Sequence, residues 1–183
     1  MKKNSFEIYK NSINKILSNI PKVFFEETIK LIKKTIKKNG KVYIVGNGGS
    51  SSIASHISVD LAKVAKVPSS TFNNSNLITC FANDYGYENW VVESIKSYMN
   101  KNDMIILISS SGTSKNIVNA AKYCKKNKVE LITLSGFNKN NPLSKLGRVN
   151  FHIPSKQYNF IEMSHHIILV YIVDVLAKNK LKI

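Results

Sequence analysis

The stretch KVYIVGNGGSSS, residues 41–52, decides the fold. Its first half is a short apolar run with β-branched and aromatic side chains, which reads as a buried strand. Its second half is Gly46, Asn47, Gly48, Gly49, Ser50, Ser51 and Ser52, and a helical pattern follows over residues 52–64. A strand that empties through glycines into a helix places free backbone N–H groups and small hydroxyls at a positive helix end. Phosphate fits such a place, because glycines let the backbone approach an anion and serines add neutral donors without bulk. The loop is neither a Walker motif, since no lysine follows in the required place, nor a GxGxxG dinucleotide turn.

Working outward, the pattern repeats. MIILI at residues 104–108 leads into Ser109, Ser110, Ser111, Gly112, Thr113 and Ser114, and a helical pattern opens at Lys115. Further short runs at 130–134 (ELITL) and 149–153 (VNFHI) alternate with helical patterns at 89–99, 115–126 and 160–180, and another short strand is expected near Thr71 and Phe72. This alternation predicts an α/β fold with a parallel sheet flanked by helices on both faces. Two helices lead the chain, over residues 6–20 and 21–38, the first with Phe6, Tyr9, Ile13, Ile16, Leu17 and Ile20 on one stripe and the second stopped by Asn39 and Gly40. The final helix is apolar nearly all round (Ile167 to Val173) and is expected to be buried. No linker divides the 183 residues, so 1–183 reads as one domain, with the helices of residues 1–39 available to cover either the sheet or a partner subunit.

The net charge of +16 attracts nucleic acid, acidic membranes and phosphorylated ligands alike and does not choose among them. The lysines are spread over helices, and no helix-turn-helix, CxxC or RNP-like pattern accompanies them, so a solvated lysine surface is expected rather than a nucleic-acid face. No run of about 18 apolar residues and no signal-peptide stretch occurs, which predicts a cytoplasmic chain without a membrane segment. Cys80 and Cys124 lack the spacing of a zinc or redox pair and read as buried free thiols.

Loops from two parallel strands converge at the carboxyl edge of the sheet, where open α/β folds bind ligands. Several hydroxyls with no arginine suit a phosphomonoester beside polar groups for sugar hydroxyls. Three more clusters can complete the site. His56 and Asp60 share a helix face. Asn83, Asp84, Tyr85, Gly86, Tyr87 and Glu88 form a polar turn, and Glu162, His165 and His166 lie at i, i+3 and i+4 near the start of the last helix. Each also has a bland reading: an ordinary helix pair, a cap, and a packed core histidine.

At GNGGSSSIASHISVDL, FANDYGYENW, ISSSGTS and HIPSKQYNFIEMSHH the sequence resembles the sugar isomerase (SIS) domain family, most closely its phosphoheptose isomerase branch. The resemblance is collinear over nearly the whole chain. It implies a homotetramer of α/β subunits with active sites at subunit interfaces and a divalent metal, usually zinc. By that likeness Asn47, Gly48, Gly49, Ser50, Asn83, Asp84, Ser109, Ser110, Ser111 and Ser114 hold the substrate, and His56 and Asp60 sit at metal and catalytic positions. The sequence also departs from the family. Its glutamate is Asp60 here, its last-helix glutamine is Glu162, and its later metal-binding, proton-moving histidine falls on Val170, which can do neither job. Glu162 with His165 or His166 can rebuild a site, and the expected metal set is then His56, Asp60, Glu162 and His166.

The expected reaction is aldose–ketose isomerisation of a phosphorylated sugar, a heptose phosphate such as sedoheptulose 7-phosphate. Glu162 is the expected base, with Asp60, His165 or His166 moving the second proton. The competing expectation is a non-catalytic sugar-phosphate-binding or interaction module, of the branch that associates with the replication initiator.

Overall fold

The computed structural model describes residues 5–178. Helices α1 (Ser5–Ser18) and α2 (Lys22–Lys37) precede β1 (Val42–Gly46), α3 (Gly49–Lys63) and β2 (Ser69–Ser70). Then come α4 (Ser75–Tyr85), α5 (Trp90–Tyr98), β3 (Met104–Ser109), α6 (Lys115–Lys126), β4 (Glu130–Ser135), β5 (Val149–His152) and α7 (Tyr158–Leu176). The strands form one sheet in the order β2-β1-β3-β4-β5, and every pairing is parallel.

All residues of β1 and β3 are buried, as continuous apolar strands covered on both faces must be. Successive side chains alternate between two cores. Val42, Ile44, Met104, Ile106 and Ile108 pack with α2, α3 and α7, whereas Tyr43, Val45, Ile105 and Leu107 pack with α5 and α6. The register sets Gly46 opposite Ile108 and Ser109 opposite Ser135, so the loops after β1, β3 and β4 leave one edge side by side.

Several expectations change. α3 starts at Gly49, three residues before the helical pattern read at residue 52, so the glycine loop is already its first turn. The short strand is Ser69–Ser70 rather than Thr71 and Phe72. α4, SNLITCFANDY, is a helix not expected from the sequence: Leu77, Ile78, Phe81 and Ala82 give it an apolar face, partly buried against the α5–α6 core, and it starts where the Asn74 side chain accepts from the N–H groups of Asn76 and Leu77. Cys124 is buried, and burial pushes its thiol up to about 12, but Cys80 is exposed.

α7 is two-faced rather than buried all round. Ile168, Leu169, Ile172 and Val173 enter the core, each contributing about 1.5–3 kcal/mol by burial, while Ile167 and Tyr171 stay 44% and 42% exposed. Its length and mean hydropathy of 1.3 are those of a membrane span, a test that the core helix of a folded domain also passes. The helix ends at Leu176, with Ala177 and Lys178 in a turn, short of the expected Lys180; residues 179–180 of that expected stretch lie outside the described residues. α1 buries nothing, and its Phe6 and Ile8 are 71% and 68% exposed.

His165 belongs to the core. It is fully buried, its Nε2 lies 3.1 Å from the Ser135 carbonyl, and its Nδ1 has no partner. Burial, only partly offset by hydrogen bonds to the Ser135 and Phe151 backbones, lowers its pKa from 6.5 to about 4. The unfolded chain therefore takes up this proton near pH 6.5 and the folded chain only near pH 4. Stability falls as the pH drops through that window and is unaffected above it. His165→Gln, which keeps a donor and removes the titration, should flatten the loss by up to about 1.4 kcal/mol per pH unit. Urea unfolding of both proteins between pH 7 and pH 5 measures this, and parallel curves would refute it.

Candidate active site

The first loop turns tightly because Gly46 has no side chain: a methyl there would strike Ser50, which is 3% exposed and lies against the strand end rather than toward ligand. Gly48 takes φ +52, the left-handed region that suits glycine. Gly49 makes room for a carboxylate, since a methyl group there would overlap both oxygens of Glu162. The Glu162 carboxylate thus lies against the first turn of α3, in the place the sequence offered to phosphate. A second anion there would be repelled.

The second loop carries hydroxyls and no carboxylate. The Ser109 hydroxyl donates to Ser114 Oγ at 3.0 Å, and the Thr113 N–H and hydroxyl both converge on Ser111 Oγ at 3.2 and 2.9 Å. Ser114 is the N-cap of α6 but makes no capping bond, so the first-turn N–H groups of this 12-residue helix are left open. The Ser110 hydroxyl is buried without a protein partner. Gly112, at φ +68, is pressed by the side chain of Asn141, and Leu143 N–H donates to its carbonyl, so the loop is braced from behind.

Asn116, which sequence reasoning missed, ties the loops together through Asn47. Asn47 and Asn116 exchange amide hydrogen bonds of 3.0 and 2.9 Å, linking the first loop to α6, and the Tyr87 hydroxyl reaches Asn47 Oδ1 at 3.4 Å. The available signal was Asn116 itself, an amide in phase with Ile117 and Ala120 on the buried face of its helix, where a polar group needs a partner. Asn83 and Asp84 stand in the last turn of α4 and bond to each other at 3.0 Å. Their turn lies beside α6, where Asn119 donates to the Glu88 carbonyl.

Farther along the α3–α7 seam, His56 and His166 meet with Nδ1 and Nε2 2.8 Å apart, and His56 Nε2 lies 3.1 Å from Asp60 Oδ2. One proton arrangement satisfies both contacts: His166 donates to His56, and His56 donates to Asp60. Burial and the neighbouring His56 lower the His166 pKa, against a smaller opposing pull from Asp60. His165, one residue away, points into the core and has no part in this chain.

The expected metal set does not assemble. Both nitrogens of His56 are engaged, Glu162 is turned to Gly49, and no group of three or more metal-ligating side chains suited to an ion occurs among the described residues. Two nitrogens on one tetrahedral zinc, each at about 2.0–2.1 Å, stand farther apart than these do. Val170 lines an apolar cavity of about 350 Å³ with Met163, Ile167 and Tyr171, at whose edge the two histidines lie.

The carboxyl edge of this parallel sheet presents an acid and a hydroxyl-lined helix end, with an imidazole pair farther along the α3–α7 seam. Residues 8–136 match the SIS domain family, and the chain belongs to it. It is 32% identical to a phosphoheptose isomerase of Thermodesulfovibrio yellowstonii, over 87% of this chain and 90% of that one. It is 29% identical to a phosphoheptose isomerase of Helicobacter pylori strain P12, over 95% and 93% of the two chains. The fold matches a phosphoheptose isomerase structure from Neisseria gonorrhoeae with a TM-score of 0.85 at 20% identity, covering 94% of this chain and 96% of that one.

Asn116→Ala removes one half of the buried amide pair. It should lower stability by about 1–2 kcal/mol, and the Asn47→Ala, Asn116→Ala double variant should lose less than the sum of the two single losses. Denaturant titration of the three proteins checks this, and simple additivity would show that the pair is not coupled.

Proposed function

We propose that the protein interconverts the aldose and ketose forms of a phosphorylated sugar, with a heptose phosphate such as sedoheptulose 7-phosphate as substrate. The observation that carries this reading is the division of labour between two neighbouring loops. An uncapped helix end with serine hydroxyls stands after β3, and a carboxylate is held on the turn after β1. A substrate anchored by its phosphate at Ser109, Ser110, Ser111 and Ser114 lays its carbonyl end toward Glu162, with Asn47, Gly48, Asn83 and Asp84 lining its hydroxyls. The relatives' names point the same way.

In the reaction, Glu162 takes the proton from C2 of the aldose while the C1 oxygen gains one, which leaves an enediol. Return of the carbon-bound proton to C1 and loss of the C2 hydroxyl proton give the ketose. The His166–His56–Asp60 chain is the proton source for the oxygen. The zinc implied by the family has no convergent donor set among the described residues of one subunit, and no step is routed through it. Val170, where the family has a proton-moving histidine, is what favours the non-catalytic binding module as the second reading.

The chain acts as one SIS domain in the cytoplasm, assembled as a homotetramer. The support is the apolar surface that one subunit leaves open: Phe6 and Ile8 on α1, Val59 on α3, and Met163, Ile167 and Tyr171 on α7. Light scattering at micromolar concentration should give a tetramer mass, and a clean monomer would end this part of the proposal.

The catalytic test is solvent deuterium incorporation at C2 of sedoheptulose 7-phosphate's aldose partner and of C5 and C6 sugar phosphates. Wild-type protein should exchange with and without chelator. Glu162→Gln should abolish exchange while sugar-phosphate affinity falls less than about tenfold, roughly 1.4 kcal/mol. Ser111→Ala and Ser114→Ala should each weaken binding by about 1 kcal/mol. Exchange that persists in Glu162→Gln removes Glu162 as base, exchange lost to chelator restores a metal, and no exchange in wild type leaves the binding module.

A further inference from the structure

The carboxyl ends of β4 and β5 take no part in the reaction just described, yet they also border a cavity. It measures about 460 Å³ and lies between the α1–α2 corner and the loops that follow the two strands. Its floor is apolar and ring-rich, with Phe24, Phe137 and Phe151 beside Ile16 and Ile20. A second cavity of about 430 Å³ continues it, sharing Ile16, Asn19, Ser155 and Lys156.

The polar lining has one sign. Lys139 and Lys156 border the larger cavity and Lys15 the smaller, and neither has an aspartate or glutamate in its wall. None of the three pairs with a carboxylate among the described residues, as Lys10 does with Glu7, Lys34 with Glu130 and Lys96 with Glu93. His152 adds a specific group. It ends β5, lines the larger cavity, and carries a buried Nε2 with no protein partner. Burial, with help from the charge of Lys139, lowers its pKa, so at neutral pH the ring is uncharged and adds no further charge to the cationic rim.

Aromatic walls favour a flat ring, and cations without counter-charges favour an anion. We propose that this groove is a second ligand site, separate from the serine loop, for a ring-bearing organic anion such as an aryl or heteroaryl phosphate or carboxylate. The site stands on residues that the isomerase reading does not use, so it holds or fails independently of that reading.

Phenyl phosphate, inorganic phosphate and phenol are suitable probes, titrated by calorimetry into the full-length protein in its native assembly. Phenyl phosphate should bind at least roughly tenfold more tightly than either fragment, because ring and anion are held by different walls. The double variant Lys139→Ala, Lys156→Ala alters only exposed side chains and should weaken phenyl phosphate roughly tenfold, and His152→Ala should weaken it as well. In a Ser111→Ala, Ser114→Ala background, which removes the serine loop's own hold on a phosphomonoester, phenyl phosphate should still bind and should still weaken roughly tenfold with the lysine changes. Binding that survives the lysine changes but is lost with the serines would assign the probe to the sugar-phosphate loop and overturn the proposal. Absence of binding at about 5 mM phenyl phosphate, a value far weaker than a dedicated site gives, would also overturn it.

Discussion

The in-register parallel pairing of β1 with β3 is the constraint on which the rest of the molecule depends. Gly46 lies opposite Ile108, so each strand ends at the same level and releases its loop beside the other. Buried backbone groups in such a sheet must be paired, which holds the strands at one separation and leaves the loops little freedom to part. The Asn47–Asn116 exchange then fixes the side chains above the sheet edge. Neither loop makes a site alone, because the first carries a carboxylate and the second carries donors.

How far the sequence disclosed this differs from element to element. The strands were plain because KVYIV, MIILI and ELITL are short apolar runs between breakers, and the alternation with helices implied a parallel sheet. α4 was missed although Leu77, Ile78, Phe81 and Ala82 recur at helical spacing, because its last turn, Asn83 to Tyr85, reads in the sequence as part of a polar turn. α7 misled in the opposite sense. Its run of apolar residues suggested burial all round, whereas one subunit covers only the face of Ile168, Leu169, Ile172 and Val173. Composition records how apolar a helix is and not which chain covers it.

The site residues divide in the same manner. His56 and Asp60 were legible as an i, i+4 pair, and their contact is present. His165 and His166 are adjacent letters, and spacing alone could not separate them, but a helix turns about 100° per residue and sends one into the core and the other to His56. The amide pair at Asn47 and Asn116 was hidden because 69 residues separate its halves. The place of Glu162 was hidden for a related reason: the sequence displays an anion-binding turn and an anion far apart, and only the fold shows that one fills the other.

That filling has a consequence for how this chain can change over generations. The absence of a side chain at position 49 and the presence of a carboxylate at position 162 are two halves of one feature, since any side chain at Gly49 would occupy the volume of the Glu162 carboxylate. Drift at either position is therefore conditional on the other. A larger residue at 49 is admissible only after the acid at 162 has been shortened or turned away, and a chain in that state would again present bare N–H groups at the start of α3. The two positions should be inherited as a unit, and a descendant that broke the pair would regain an anion site on its first loop as it gave up its acid.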